Sequence, residues 1–197
     1  MTHRPAPTDI AIHPLIAGRW SPRAYADRDI SHAQVLALLE AARWAPSAYN
    51  VQPWRFVVFE KARDPEAFAR AFALLVPFNR SWNENAQVLI AVLADTLDAK
   101  GAANPSAAYD AGAAAMALLL QAHAQGLAAH AMGGFDAQGL KQAFAIPERF
   151  AALSVISVAH HGDARALPAS LAERELAPRA RLSLDEIAQF GGWSDAG

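Results

Sequence analysis

The 197-residue chain is 53% hydrophobic with a mean hydropathy of +0.08, which excludes a disordered chain and suffices for one substantial core. Seventeen Lys and Arg against 19 Asp and Glu leave a formal charge of -2, so nothing global points to nucleic acid or an anionic membrane as partner. There is no cysteine, which rules out disulfides, thiol chemistry and thiolate metal sites and is compatible with a reducing cytosol.

In chain order, residues 1–14 read as the loosely structured lead of a single domain spanning 1–197, broken by Pro5, Pro7 and Pro14. The lead has no apolar signal segment, which favours a cytoplasmic location. Gly18-Arg19-Trp20-Ser21-Pro22-Arg23 then sets two arginines four residues apart around a serine. Guanidinium forks suit phosphate or carboxylate and a serine hydroxyl can add a donor, while a solvated basic turn is the plainer alternative.

Ser31 is the expected N-cap of a helix over 32–43, ended by Pro46. Between Pro46 and Pro53 lies Ser47-Ala48-Tyr49-Asn50-Val51-Gln52, the least generic run of the chain. The prolines restrict their neighbours to extended or turn geometry, so the loop should be rigid, either as a ligand loop or as a helix-to-strand connection. Residues 55–60 follow as a strand covered on both faces. Asp64 and Pro65 start a helix to Leu75. Residues 79–85 are polar around Trp82, and 86–94 form the strongest strand candidate, central in the sheet.

Residues 108–126 are alanine-rich and apolar around most of the circumference, a helix expected to be buried on all sides, in the core or at a subunit interface. A strand over 127–132 ends in Gly133-Gly134, a pair that permits close approach by a flat ligand or simply a tight turn. A short helix over 136–144, a strand over 150–159 and a charged helix over 171–176 complete the order. The succession suggests one α/β or α+β domain. The ten-residue apolar run 111–120 is too short to cross a bilayer.

Several chemistries lack their signatures. There is no GxGxxG, no P-loop, no HExxH and no GxSxG. Adjacent His160 and His161 on a strand would point to opposite faces rather than to one metal. His130 reads as a semi-buried hydrogen-bonding side chain, and aromatics are not interleaved with a basic patch. Arginines 19, 23, 179 and 181 carry meaning beyond surface charge only if folding brings them to one anion.

Taken together, Arg19-Trp20-Ser21-Pro22-Arg23, the pattern from Pro46 to Trp54, Ala86–Ile90, Gly133-Gly134-Phe135-Asp136 and Arg179-Ala180-Arg181 resemble the nitroreductase family of FMN-dependent oxidoreductases. The resemblance implies an α+β fold with a central, mostly antiparallel sheet flanked by helices, in an intertwined homodimer with two flavin sites. It implies FMN as cofactor, with Arg19, Ser21 and Arg23 at the phosphate and ring edge, and Ser47, Asn50 and Gln52 on a loop supplied by the partner subunit. Asn79, with Asn83 as rival, would reach the flavin, Gly133 and Gly134 would lie along the ring, and Arg181, with Arg179, would close on the phosphate. The implied reaction passes electrons from NAD(P)H through flavin to a small planar acceptor such as a nitroaromatic or quinone, with no side chain assigned as catalytic and no metal. Other flavin reactions, such as enoyl or aldehyde reduction, and a non-catalytic flavin-binding module are the alternatives. Two departures stand out: Gly133 occupies a position acidic in some members, and Leu182-Ser183 replaces the usual lysine-proline.

Overall fold

The computed structural model describes residues 4–193. Its centre is β3 (Val88–Asp95), all eight residues of which are buried. β3 pairs with β2 (Trp54–Glu60) on one edge and β5 (Phe150–His161) on the other. β4 (Leu127–Met132) takes the free edge of β5, and β1 (Tyr25–Ala26) pairs with the last two residues of β5. The order is therefore β2-β3-β5-β4, every pair antiparallel, with β1 continuing the edge of β5 beyond the end of β3. This is the α+β architecture with a central antiparallel sheet that the sequence leads one to expect.

Alternation along β3 divides the core in two. Val88, Ile90, Val92 and Ala94 pack beneath α2 (His32–Arg43) and α5 (Ala107–Ala124). Leu89, Ala91 and Leu93 face the opposite layer, which includes α3 (Pro65–Ala73), α6 (Ala137–Ala143), Trp82 and Leu171 of α7 (Ala169–Leu176). Side chains two residues apart share a face, so a strand apolar from Val88 to Ala94 requires cover on both. Helix starts follow their caps. Ser31 and Gln34 form a reciprocal capping box, Asp64 accepts from the Ala67 amide at 2.9 Å, and Asp136 accepts from the Gly139 amide at 2.8 Å.

Three short elements escape the sequence reading: α1 (Pro14–Gly18), β1, and α4 (Pro77–Arg80). Each is shorter than one period of evidence, and each is fixed by contacts remote in sequence. The lead is also tied down, by a 2.8 Å bond from the Ala6 amide to the Ala17 carbonyl.

Within the single chain α5 is not covered on all sides. Ala107, Asp110, Ala111, Ala114, Leu118 and Ala122 are buried, but Tyr109 is 83% exposed, Met116 46% exposed, and Gly112 lies open beside them. The open face carries no polar contrast to reveal it, because it is built from alanine, glycine, tyrosine and methionine. Among the described residues no helix is long and apolar enough to cross a membrane.

Candidate functional site

The loop after α1 is pinned from below. Gly18 packs against the Nε2 edge of His123 of α5, where a Cβ would fall 2.5 Å from Nε2. Beyond it, the buried Glu175 carboxylate of α7 accepts the Arg23 amide at 2.9 and 3.0 Å and the Ala24 amide at 3.0 Å. Two main-chain donors thus find a full negative charge, a strong form of hydrogen bond in a dry setting. The fixed backbone sends Arg19, Ser21 and Arg23 into one cavity of about 270 Å³.

The late arginines come to the same place. Arg4, Arg19, Arg23, Arg174, Arg179 and Arg181 all line this cavity, and none of its described lining residues is acidic. Burial, with Arg179 and Arg181 nearby, pushes the Arg19 pKa down, and burial with Arg181 and Arg4 does the same to Arg179. Six cations around one cavity, with no acidic side chain among its described lining residues, give it a strongly positive potential. Arg179 spends its hydrogen bonds on main chain, giving 2.8 Å to the Arg4 carbonyl, 2.8 Å to Ala17 and 2.9 Å to Arg19. Its charge faces the cavity while its fork holds the walls together. A larger cavity of about 480 Å³ opens near the start of α2, but its lining is of mixed charge, with Asp29 and Glu60 beside Arg28 and Arg63, and Arg63 3.6 Å from Glu60.

An aromatic wall leads away from the arginines. The Arg23 guanidinium lies over Trp82 at 5.8 Å, and Trp82 packs on His130 at 4.7 Å. His130 Nδ1 lies 3.1 Å from the Pro22 carbonyl, which joins β4 to the arginine loop. Burial pushes the His130 pKa down to about 4, against the pull of the Pro22 carbonyl, so the ring is neutral at physiological pH and donates from Nδ1. The buried Arg23 Nε and Trp82 Nε1 have no acceptor among the described residues. Buried donors are seldom left so, and Arg23 is among the residues that line the arginine cavity.

Asn79 of α4 donates to the Gly134 carbonyl at 2.9 Å, and a Cβ on Gly134 would fall 2.7 Å from that same Asn79 nitrogen. Gly134 is thus needed for the close approach. Gly133 differs: a Cβ there would meet nothing within 4 Å, leaving an open, flat stretch of backbone. Asn83 is fully buried and gives its amide to the Asn79 carbonyl at 2.8 Å, so it braces Asn79 from within.

The Ser47–Gln52 loop stands apart. Ser47 Oγ accepts from the Gln52 amide at 3.0 Å, Gln52 Nε2 donates to the Asn50 carbonyl at 3.1 Å, and the buried Asp110 of α5 accepts from the Ala48 amide at 3.1 Å. Tyr49, Asn50 and Gln52 hold φ of 51°, 56° and 52°, left-handed values that cost non-glycine residues free energy and persist only when their surroundings enforce them. Tyr49 is fully solvent-exposed. The loop is anchored at the start of α5 and the arginine loop near its end, thirteen residues and about 20 Å away. Strand register separates them too: Trp54 lies opposite Ala94, which faces Ala151, whereas Tyr25 faces His161, about 33 Å further along β5. The chain therefore brings Arg19, Ser21, Arg23, Arg179 and Arg181 together, places Asn79 with Gly134, and leaves Ser47, Asn50 and Gln52 at the far end.

The profile of the nitroreductase family matches residues 16–160. The chain belongs to the nitroreductase family. A Mycolicibacterium smegmatis 15.4 kDa protein is 37% identical over 130 residues, 66% of this chain and 86% of that protein. An Archaeoglobus fulgidus protein named for NADH dehydrogenase/NAD(P)H nitroreductase activity is 31% identical over 155 residues, 76% of this chain and 84% of its own length. Among solved structures, an oxidoreductase containing FMN superposes with a TM-score of 0.90 at 35% identity, covering 96% of both chains. A Desulfovibrio desulfuricans family protein solved in complex with FMN gives 0.71 at 30% identity, covering 93% of this chain and all of that one. The family match stops before Arg179 and Arg181, so their convergence with Arg19 is a finding of the fold.

The sequence reading missed Arg4, Trp82 and Glu175. Arg4 lies in a proline-broken lead and Glu175 in an ordinary charged helix, so neither carried a local signal. Trp82 was visible as an aromatic in a polar run, but only its packing on Arg23 and His130 connects it to the site.

Proposed function

We propose that this nitroreductase-family chain is an FMN-dependent oxidoreductase that takes electrons from NAD(P)H and delivers them to a small planar electron-poor acceptor, such as a nitroaromatic or quinone. The observation that carries the reading is the convergence of six arginines on one cavity with no acidic residue among its described lining residues. The residues present fit FMN. Arg19, Ser21, Arg23 and Arg181 would hold the phosphate end, the orphaned Arg23 Nε offers a further donor, and the open backbone at Gly133 leaves room for a flat ring. When bound, FMN accepts a hydride from the reduced nicotinamide and passes electrons to the acceptor.

The chain's own part is binding, orientation and exclusion. Arg19 and Arg23 bring positive charge to the phosphate end from a backbone that Glu175 holds still. Asn79 fixes Gly134 and with it the height of the Gly133 backbone. Trp82 and neutral His130 form a wall that holds Arg23 without offering a competing acid. No side chain is required as a base for hydride transfer.

The working form is a homodimer in this reading, with Ser47, Asn50 and Gln52 serving the partner's flavin. Support comes from the open face of α5 and from the distance between the two loops. In a twofold contact whose axis runs normal to α5, the helix packs antiparallel on its copy, and the start of one helix is turned toward the end of the other. That arrangement carries each Ser47–Gln52 loop toward the other chain's arginines. A cytoplasmic setting is the natural one for a nicotinamide-driven reaction.

The test is spectroscopic. The purified protein should be yellow, its visible flavin band should bleach anaerobically on adding NADH or NADPH, and menadione or nitrofurazone should restore it. A colourless protein that fails to retain added FMN would sink the reading. A flavin that binds but is not bleached by either nicotinamide would favour the binding module.

A further inference from the structure

The N-terminal segment reaches the arginine cavity from outside the family match, which begins at residue 16. Arg4 donates from Nη2 to the Ala177 carbonyl, and its guanidinium lies 4.9 Å over the Trp20 ring. In return, Arg179 donates to the Arg4 carbonyl at 2.8 Å. Arg179 thus grips the main chain of Arg4, while Arg4 grips that of Ala177, two residues before Arg179. The same Arg179 also holds the Ala17 and Arg19 carbonyls, so the grip extends to the loop carrying Arg19 and Ser21. Like charges are here drawn together by neutral carbonyls, without an acid between them among the described lining residues. An arrangement of that kind is completed by an anion.

We propose that Arg4 is a binding residue of this anion site, and that the segment it belongs to is a clasp fastened across the cavity by the cofactor's phosphate. Arg4 contributes charge directly, since its stacked guanidinium has donors beyond the one given to Ala177. It also shapes the site indirectly, by holding residues 177–181 against the loop at 19–23. The inference rests on the FMN reading above and adds to it a residue from the lead and a coupling between the chain's two ends.

Arg4→Gln removes the charge while keeping a polar side chain on an apolar stem. FMN and riboflavin serve as a matched pair of probes, the second lacking the phosphate. Titration by quenching of flavin fluorescence should show FMN bound about tenfold more weakly by Arg4→Gln and riboflavin bound equally by both proteins. Hydrogen exchange on the wild type should show FMN, and not riboflavin, protecting the amides around residues 4–8 and 177–181. Unchanged FMN affinity, an equal loss for both flavins, or equal protection by both would overturn the proposal. A wild-type protein that binds neither flavin would instead overturn the FMN reading, and this inference with it. Unliganded melting temperatures of the two proteins, compared in parallel, establish that any loss is one of binding and not of folding.

Discussion

At the scale of single residues, His130 shows how environment sets chemistry. It contacts Trp82, accepts no acid as neighbour, and lies near Arg19 and Arg23, so protonation is opposed by burial first and by those charges second. With a folded pKa of about 4 against 6.5 ordinarily, the unfolded chain binds the proton more readily between those values. Stability should therefore be intact above pH 6.5 and fall as the pH drops from there toward 4, by up to about 3 kcal/mol from this group. His130→Gln, which can still donate to Pro22, should flatten that limb of the pH–stability curve in urea titrations. An unchanged slope would mean that other groups govern it. His130 also bears on legibility: the alternation of β4 reveals a half-buried histidine, but its partner Pro22 lies 108 residues away and carries no sign of the link.

At the scale of elements, both site loops obey one rule. Each is irregular backbone held by a buried carboxylate from a helix: Asp110 of α5 for the Ser47–Gln52 loop and Glu175 of α7 for the arginine loop. The strained φ values at Tyr49, Asn50 and Gln52 make sense in that setting, because one bond at Ala48 and another within the loop enforce the shape. Glu175→Ala should strand the Arg23 and Ala24 amides and cost about 3 kcal/mol. Glu175→Gln, which keeps an acceptor oxygen, should recover at least half of that loss in denaturant melts. Equal losses for the two variants would show that the charge, and not the acceptor, holds the loop. The prolines at 46 and 53 made the first loop readable as rigid, whereas nothing near Glu175 marked it as an anchor, since the acceptor and its donors are about 150 residues apart.

At the scale of the whole molecule, the open face of α5 and the distance between the loops argue for one arrangement, a twofold dimer with shared sites. Gly112 offers a clean test, because a Cβ there meets nothing within 4 Å in the chain itself. Gly112→Arg should leave the chain folded, and even favour the helix by up to about 1 kcal/mol, while obstructing a close helix–helix contact. Light scattering should then report a monomer, and that monomer should release FMN. If a verified monomer keeps its flavin at unchanged affinity, the loop does not act across an interface.

The sequence by itself determined the elements with internal evidence. Strand β3 is legible because an unbroken apolar run needs two covered faces, and α2 and α3 because their caps and apolar faces agree. It also determined the family, through motifs whose residues are neighbours in the chain, above all the proline-bracketed loop. What it could not determine was which distant groups meet. Only the tertiary structure decided that arginines 4, 19, 23, 174, 179 and 181 share one cavity, that Asn79 and not Asn83 faces Gly134, and that one side of α5 is left open. The reason is physical: local pattern reports which face of an element is apolar, whereas the position of a charge depends on register, packing and chain crossings that no short stretch contains.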